Sequence, residues 1–373
     1  MTKTEEQFLS LLRAGLWGKA VDERLFQDGV DWPAILSLAR EQTVVGVLSD
    51  GIGSLPLSMR PPTSMVRDLQ KELIRIRHGH TVLNHVLKEV YGELSYAGIR
   101  PVLLKGQGVA QNYLYPEQRQ CGDIDLYVGV RYYDLACKIL SGCGGIENVT
   151  MNKHPSHRQF CYSGVDVEIH RKACCLTIPR IDKRLQVISD IYLREEACSG
   201  EKLQGTDIIL PPVNFDALFL FLHFVRHFIQ EGVGLRQVCD WTLYLHAHVD
   251  DIDRERLLCE VDLLGMRRFW EIFGCIAVYY LGLPPEEFPG FFKERKKLSQ
   301  YLLSLIFKSG NFGQCTYFRS QSFRPKGYYL GKLHGMKQRF RWWLSVFPLN
   351  PSLLIRWVIY SFLYSLKVAL LHR

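Results

Sequence analysis

Residues 99–128 read IRPVLLKGQGVAQNYLYPEQRQCGDIDLYV, and the rest of the chain is organised around this stretch. The apolar run at residues 101–104 is typical of a buried strand. Lys105-Gly106-Gln107-Gly108 ends that run and opens a short helix. Backbone N–H groups are unpaired at a helix start, so a phosphate can bind there, and Lys105 adds a positive charge. The stretch therefore predicts a strand, a glycine turn, a helix, a loop and a second strand.

The second strand carries two aspartates that stand two residues apart, Asp123 and Asp125. Side chains alternate along a strand, so both lie on one face while Ile124, Leu126 and Val128 point into a core. Paired carboxylates repel unless a cation lies between them, and oxygen ligands suit Mg²⁺. An isolated Asp-x-Asp pair is more simply two solvated side chains. The Lys-Gly turn before it and the intervening arginine favour a metal site here.

A later strand supplies a third acid. In Val165-Asp166-Val167-Glu168-Ile169-His170, Asp166, Glu168 and His170 alternate with apolar residues and share one face. If this strand lies beside the first acidic strand, parallel or antiparallel, Glu168 completes a trio of carboxylates. Asp166 takes that place if the register differs by two residues.

The order and spacing of these motifs resemble the DNA polymerase β-like nucleotidyltransferases. Within that superfamily they resemble a family of uncharacterised bacterial nucleotidyltransferases, over roughly residues 70–245. The family pattern is a lysine-glycine turn, then Arg-x3-Asp-x-Asp, then Glu-x-His. The matching residues are Lys105-Gly106, Arg119 with Asp123 and Asp125, and Glu168 with His170. Most of the superfamily has Gly-Ser at the turn, where this chain has Gly106-Gln107.

The resemblance implies an enzyme that transfers a nucleoside monophosphate from an NTP to an acceptor hydroxyl and releases pyrophosphate. Two Mg²⁺ ions are expected on Asp123, Asp125 and Glu168, with Asp166 as the alternative third acid. Arg119 would neutralise pyrophosphate or anchor its loop, and His170 would orient Glu168. The residues expected to contact the nucleotide are Lys105, Gly106, Gln107, Arg119, His170, His223 and Arg236. The acceptor stays open between a small molecule, a peptide, a protein and an RNA.

Three other functions stay open from the residues. The first is a nucleotide-binding or partner-binding protein that keeps the scaffold without turnover, and the second is a kinase-like phosphotransferase. The third is a metal-dependent hydrolase built on His223, His227 and Asp240.

The helical second half carries polar residues at helical spacing. His223 and His227 lie four apart on an apolar helix at residues 214–229, so they share one face. They fit packed core histidines, contact with the substrate, or a metal. Arg236 and Asp240 form a second pair four apart, which fits either a structural salt bridge or a role over the cleft.

The whole chain of 373 residues predicts an α+β fold in three parts. These are an N-terminal helical segment at 1–97, a small mixed β-sheet nucleotidyltransferase core at 98–210, and a C-terminal helical domain at 211–373. Four strands are expected in the core. His154, His157 and Arg158 are expected on a surface loop, with the rim of the substrate site as the second alternative. The net charge of +8 suits a polyanionic ligand without demanding one.

Two features bear on location and assembly. Eleven cysteines without a Cys-x2-Cys pair, behind a polar N-terminus, predict reduced thiols in the cytoplasm. Residues 353–371 are apolar but contain Arg356 and Lys367. They favour a buried or oligomer-facing helix. Attachment to a membrane surface, helped by residues 339–343 (RFRWW), comes second, and a membrane span comes last.

Overall fold

The computed structural model describes residues 1–148, 156–194, 201–313 and 328–371, with only the backbone for 328–333 and 364–371. These ranges contain fourteen α-helices and five β-strands. The helices are α1 (Lys3–Trp17), α2 (Trp32–Glu41), α3 (Val45–Gly53), α4 (Thr63–Tyr96), α5 (Gly106–Ala110), α6 (Gly129–Gly142), α7 (Pro179–Tyr192), α8 (Val213–Gln230), α9 (Leu235–Ala247), α10 (Arg254–Leu263), α11 (Arg267–Ile276), α12 (Lys296–Ser309), α13 (Tyr328–Val346) and α14 (Pro351–Leu371). The strands are β1 (Val102–Leu104), β2 (Asp123–Tyr127), β3 (Ile146–Glu147), β4 (His157–Tyr162) and β5 (Val165–His170). The predicted α+β class is confirmed.

The five strands form one mixed sheet in the order β1-β2-β5-β4-β3. Only β2 and β5 run parallel, and the other neighbours are antiparallel. The predicted hairpin between β4 and β5 turns at Ser163 and Gly164, whose φ angles of 50° and 79° suit a tight two-residue turn. The short strand β3 adds a fifth member to the four strands expected from the sequence. His154 lies outside the described residues.

The long helix α4 spans the residues that the sequence predicts, and it covers one face of the sheet. Its buried residues recur at helical spacing from Leu83 to Leu94, and they share a core with Ile124, Leu126 and residues of α6. Gly98, with a φ of 79°, follows the helix and turns the chain toward β1. Since Asp123 and Asp125 alternate with Ile124 and Leu126, they lie on the opposite face of the sheet.

A larger core joins the N-terminal helices to the C-terminal helices. Helix α8 lies within it, with nearly every residue from Asn214 to Phe224 buried, which is the pattern of a helix surrounded by other elements. Strand β1 borders both cores, because Val102 and Leu104 belong to the helical core while Leu103 belongs to the sheet core. The acidic face of the sheet is thus turned toward the helical part. The division at residues 97 and 210 stays a prediction.

The C-terminal helices rest on this helical core. Leu353, Leu354 and Trp357 of α14 are buried, in line with the favoured buried helix, although other apolar side chains of α14 are exposed. Within the described residues, no helix has the length and apolar character that a bilayer crossing needs. The cysteines of the described ranges are free thiols.

Candidate active site

Three carboxylates converge on the acidic face of the sheet. In the parallel pairing of β2 with β5, Asp125 lies opposite Glu168 and Asp123 lies opposite Asp166. Carboxylate oxygens of Asp123, Asp125 and Glu168 all lie within 4.8 Å of one another. Asp166 is exposed and joins no such group among the described residues. The geometry therefore assembles the trio around Glu168, the first of the two acids that the sequence offers.

Lys105 brings a positive charge into this group. Its Nζ lies 2.9 Å from Asp125 Oδ2 and 3.5 Å from Asp123 Oδ2. Burial acts to lower the pKa of Lys105, but the charges of Asp123, Asp125 and Glu168 outweigh it and raise the pKa. The residue has a φ of 47°, which is uncommon for a side chain other than glycine. The chain thus adopts a costly backbone conformation where the ammonium meets the carboxylates.

His170 joins two of the acids. Its Nε2 lies 3.0 Å from Asp125 Oδ1 and 3.1 Å from Glu168 Oε2, so a protonated ring donates a hydrogen bond toward both. Burial acts to lower the pKa of His170, but these hydrogen bonds raise it to about 9. Burial acts to raise the pKa of Glu168, but the bond from His170 and the charge of Lys105 lower it to about 2. His170 therefore positions both Asp125 and Glu168.

His157 lies in the site, although the sequence favoured a surface loop for it and gave the substrate rim only as the second alternative. The structure places it at the start of β4, opposite His170 in the antiparallel pairing, and not on a surface loop. Its Nε2 lies 3.7 Å from Glu168 Oε2, and its ring centroid lies 4.8 Å from that of His170. The alternation of His157, Gln159 and Cys161 was the available signal, but the preceding Pro155-Ser156 made the segment look like a loop.

The glycine turn lies next to the acids and contains a buried amide. A Cβ added to Gly106 would lie 3.6 Å from the backbone oxygen of Asp123, and Gly106 has a φ of 51°. Gln107 is buried, yet neither its Oε1 nor its Nε2 has a hydrogen-bond partner in the described structure. A buried amide without partners is costly. Water or a bound ligand is therefore the expected partner of Gln107.

Arg119 anchors its loop to the helical part of the molecule. Its guanidinium donates from Nε and Nη2 to Asp240 of α9, at 2.7 Å each, and Tyr113 donates to the same carboxylate at 2.6 Å. Burial acts to lower the pKa of Arg119, but Asp240 holds it well above its usual value. Of the two roles left open for Arg119, the geometry shows the anchor.

The remaining polar residues of α8 and α9 take different positions. Arg236 is not paired with Asp240; it donates to the backbone oxygen of Gln120, next to Arg119. Burial holds the pKa of His223 well below its usual value, and the charges of Lys105 and His170 add to the effect, so this side of α8 is near the acids. His227 hydrogen-bonds Glu231 instead. Among the described residues, no metal-binding group contains either histidine of α8.

The donor atoms suit a divalent cation. Three carboxylates, with that of Asp125 fully buried, are the oxygen ligands that Mg²⁺ prefers. The Lys105 ammonium contacts two of these carboxylates, so it would have to withdraw along its flexible stem for a cation to bind both. A second group, His157, Glu168 and His170, also has its ligand atoms within 4.8 Å of one another. Imidazole donors suit transition metals better than Mg²⁺.

Comparison with known proteins identifies the family. The sequence model of a family described as "uncharacterised nucleotidyltransferase" matches residues 28–282, more than half of the chain. The chain belongs to this nucleotidyltransferase family. No curated protein and no solved structure matches the chain.

The residues that match the nucleotidyltransferase family model include the whole candidate site. The glycine turn, both acidic strands, His157 and the α8 and α9 residues all lie within residues 28–282. The match also includes α2, α3 and α4, which precede the sheet, but not α1, and so it extends the region of resemblance expected from the motifs. Helices α12, α13 and α14 lie beyond it.

Proposed function

We propose that the protein transfers a nucleoside monophosphate from an NTP to an acceptor hydroxyl and releases pyrophosphate. The observation that supports this most strongly is the trio of Asp123, Asp125 and Glu168 beside the Lys105-Gly106 turn, in a chain of a nucleotidyltransferase family. Phosphoryl chemistry depends mainly on positioning and on neutralising charge. A trio of carboxylates next to a lysine, with Asp125 fully buried, supplies both requirements.

The chain's own residues have distinct roles in this proposal. Asp123, Asp125 and Glu168 would hold Mg²⁺, two ions in the full site, which would lower the pKa of the acceptor hydroxyl and neutralise the phosphates. Lys105, which contacts Asp123 and Asp125 in this structure, would contact the triphosphate when a cation is bound. Gly106 and the buried amide of Gln107 contact the phosphates beside it.

Other residues hold the site in shape. His170 fixes the orientation of Asp125 and Glu168 through its hydrogen bonds. Arg119 and Arg236 bind the loop before β2 to α9 and thereby fix the position of Asp123. His223, neutral because it is buried, is proposed to face the nucleotide from α8. Asp166 has no proposed role in the metal site, because it is exposed outside the trio.

The position of Lys105 also supports a second candidate. An ammonium 2.9 Å from Asp125 already neutralises the carboxylates, as expected for a protein that binds nucleotides or a partner without turnover. The serine common at the turn in the superfamily is also replaced, by Gln107. Because the cysteines of the described ranges are free thiols, the cytoplasm remains the proposed location of the protein.

Labelled nucleotides separate these candidates. The purified chain would be incubated with Mg²⁺, a small-molecule and RNA extract, and NTPs labelled on the α- or the γ-phosphorus. The proposal predicts that α-label enters an acceptor while γ-label appears in pyrophosphate. γ-Label in the acceptor would indicate a kinase-like reaction. Saturable NTP binding without transfer would indicate the second candidate.

A further inference from the structure

The C-terminal part of the chain has an extreme charge composition. After Glu294 there are 14 lysines and arginines and not one aspartate or glutamate, whereas residues 1–294 hold 32 basic and 38 acidic residues. The positive net charge of the protein therefore comes entirely from its last 79 residues. A one-sided distribution of this kind attracts an anionic partner to one region of the molecule.

Helix α13 carries an exposed apolar stripe. Met336, Phe340 and Leu344 follow one another at intervals of four residues, and their side chains are 44%, 54% and 58% exposed. The opposite face is fixed to the core by Trp342, whose indole nitrogen donates to a backbone oxygen of α8 at 2.8 Å, while Trp343, beside the stripe, donates to the next carbonyl of α8 at 3.0 Å. The stripe therefore points away from the protein.

Basic side chains flank this stripe. Lys337 and Arg341 lie one position after Met336 and Phe340, so they form a parallel row about 100° around the helix, and Arg339 lies on the other side. All three are exposed, and none has an acidic partner within the described residues. The arrangement combines an apolar strip with uncompensated positive charge.

Helix α14 repeats this pattern. Ile355, Ile359 and Phe362 are about half exposed at helical spacing, while Leu353 and Trp357 on the other face are buried. Arg356 borders the exposed residues and also has no acidic partner among the described residues. Helices α13 and α14 are neighbours in the fold, so the two stripes belong to one end of the molecule.

We infer that the exposed faces of α13 and α14 bind the surface of an anionic lipid bilayer without crossing it. Amphipathic helices that lie in the membrane interface have apolar and aromatic residues on one face, bordered by lysine and arginine. A second copy of the chain would bring like charges together. A nucleic acid would pair with the arginines but leave the aliphatic stripe exposed to water. An anionic bilayer satisfies both features.

Vesicle binding tests this inference on the full-length chain. We expect the protein to co-sediment with vesicles of phosphatidylcholine and phosphatidylglycerol but weakly with phosphatidylcholine alone, and rising salt should weaken the binding. Equal binding to both vesicle types, or none to either, would overturn the inference. Binding to an RNA oligonucleotide but not to anionic vesicles would overturn it as well.

Matched variants locate the surface. Lys337→Gln with Arg341→Gln should lower the partition coefficient about 25-fold, at about fivefold for each basic residue near an anionic surface. The control, Lys88→Gln with Lys138→Gln, removes the same charge from exposed helix positions elsewhere and should change binding little. Equal losses in the two double variants would show that net charge alone acts, and would overturn the assignment to α13.

A second pair of variants tests the apolar contact. Leu344→Ser with Ile359→Ser should lower binding to vesicles about tenfold or more, because the bilayer would lose its contact with both apolar side chains. The control, Leu57→Ser with Ile74→Ser, changes the same residue types at sites that are 82% and 67% exposed. Unchanged binding in the first pair, with circular dichroism confirming that it is folded, would contradict the inference. The test is independent of nucleotide transfer.

Discussion

The Lys105 ammonium contacts the same carboxylates that a divalent cation would bind. It neutralises Asp125, whose side chain is fully buried, and it reaches Asp123 as well. Loss of the lysine would leave His170 as the remaining positive partner of this buried carboxylate, and removing one partner of a buried charge pair is destabilising by several kcal/mol. We therefore expect that either the Lys105 ammonium or a bound metal ion can stabilise this site.

Replacement of Lys105 tests that exchange. Lys105→Met should lower the thermal midpoint without Mg²⁺, and millimolar Mg²⁺ should raise the midpoint more in the variant than in the wild type. The reason is that the cation then binds without displacing an ammonium. Differential scanning fluorimetry with and without Mg²⁺ measures both effects, with Lys88→Met as an exposed control. The same Mg²⁺ response in wild type and Lys105→Met would contradict the exchange.

At the scale of single residues, the positions of the acids could be predicted from the sequence, but the residues that contact them could not. Strand alternation alone places Asp123 and Asp125 on one face, and the same rule marks Glu168 and Asp166. The choice between the last two depends on register across the sheet, which no local pattern contains. The partners of Arg119 and His157 are likewise set by tertiary pairing, which the local sequence does not contain.

The loop before β2 is the element that connects the sheet to the helical part. Arg119 reaches Asp240 across 121 positions of sequence in a buried, bidentate pair, and Arg236 holds the neighbouring backbone. Asp123 follows Arg119 a few residues later, at the start of β2. The position of the acids therefore depends on α9 as well as on the sheet.

Loss of the Arg119 anchor should be costly. Arg119→Ala leaves Asp240 buried without its counter-charge, so we expect a loss of about 3–5 kcal/mol in the free energy of unfolding, measured by urea denaturation. Asp240→Asn leaves the buried Arg119 guanidinium without its counter-charge, so it should be destabilising by a similar amount. Arg24→Ala, which removes the exposed bidentate pair with Asp22, is the control and should leave the midpoint unchanged. Equal effects of Arg119→Ala and Arg24→Ala would refute the anchoring role.

Element positions were largely readable from the sequence. Helix α4 and the β4–β5 hairpin have strong local signals, a long 3.6-residue period and a Ser-Gly turn between alternating strands. The two-residue strand β3 has no such signal and exists through its pairing with β4. The pairing of Arg236 with Asp240, expected from their spacing, fails because Arg119 occupies the carboxylate.

The stability of the whole molecule should depend on pH through the centre of the helical core. Asp216 of α8 is buried, one of its oxygens has no partner among the described residues, and burial raises its pKa to about 8. In the unfolded chain its pKa is about 3.9. The folded state therefore binds the extra proton between these values, and stability falls as pH rises from about 4 to about 8.

Substitution of Asp216 tests the sign of this effect. Asp216→Asn should flatten the pH dependence and exceed the wild type in stability near pH 8 by several kcal/mol, since one pKa unit corresponds to about 1.4 kcal/mol. Asp28→Asn, at an exposed position, should follow the wild-type curve. Urea denaturation at pH 5, 6.5 and 8 supplies the comparison. A wild type that gains stability relative to Asp216→Asn as pH rises would contradict the assignment.

At the scale of the whole chain, the candidate active site and the basic C-terminal end lie in separate parts of the sequence. The family match ends at residue 282, before the segment that carries the uncompensated positive charge. Composition over the full length showed only a net charge of +8. The separation emerges when exposure and charge are mapped together onto α13 and α14.

The account depends on the carboxylate trio, and one comparison tests it most directly. Pyrophosphate release would be measured for the wild type, Asp123→Asn and Asp166→Asn in the presence of Mg²⁺, NTP and the extract that contains the acceptor. Asp123 is partly exposed, so its substitution should leave the fold intact, and Asp166 is an exposed acid outside the trio. We predict that Asp123→Asn loses at least about a hundredfold in rate, of the order expected when a charge-stabilising group is removed. Asp166→Asn should retain the wild-type rate. Equal rates in Asp123→Asn and the wild type would contradict the account.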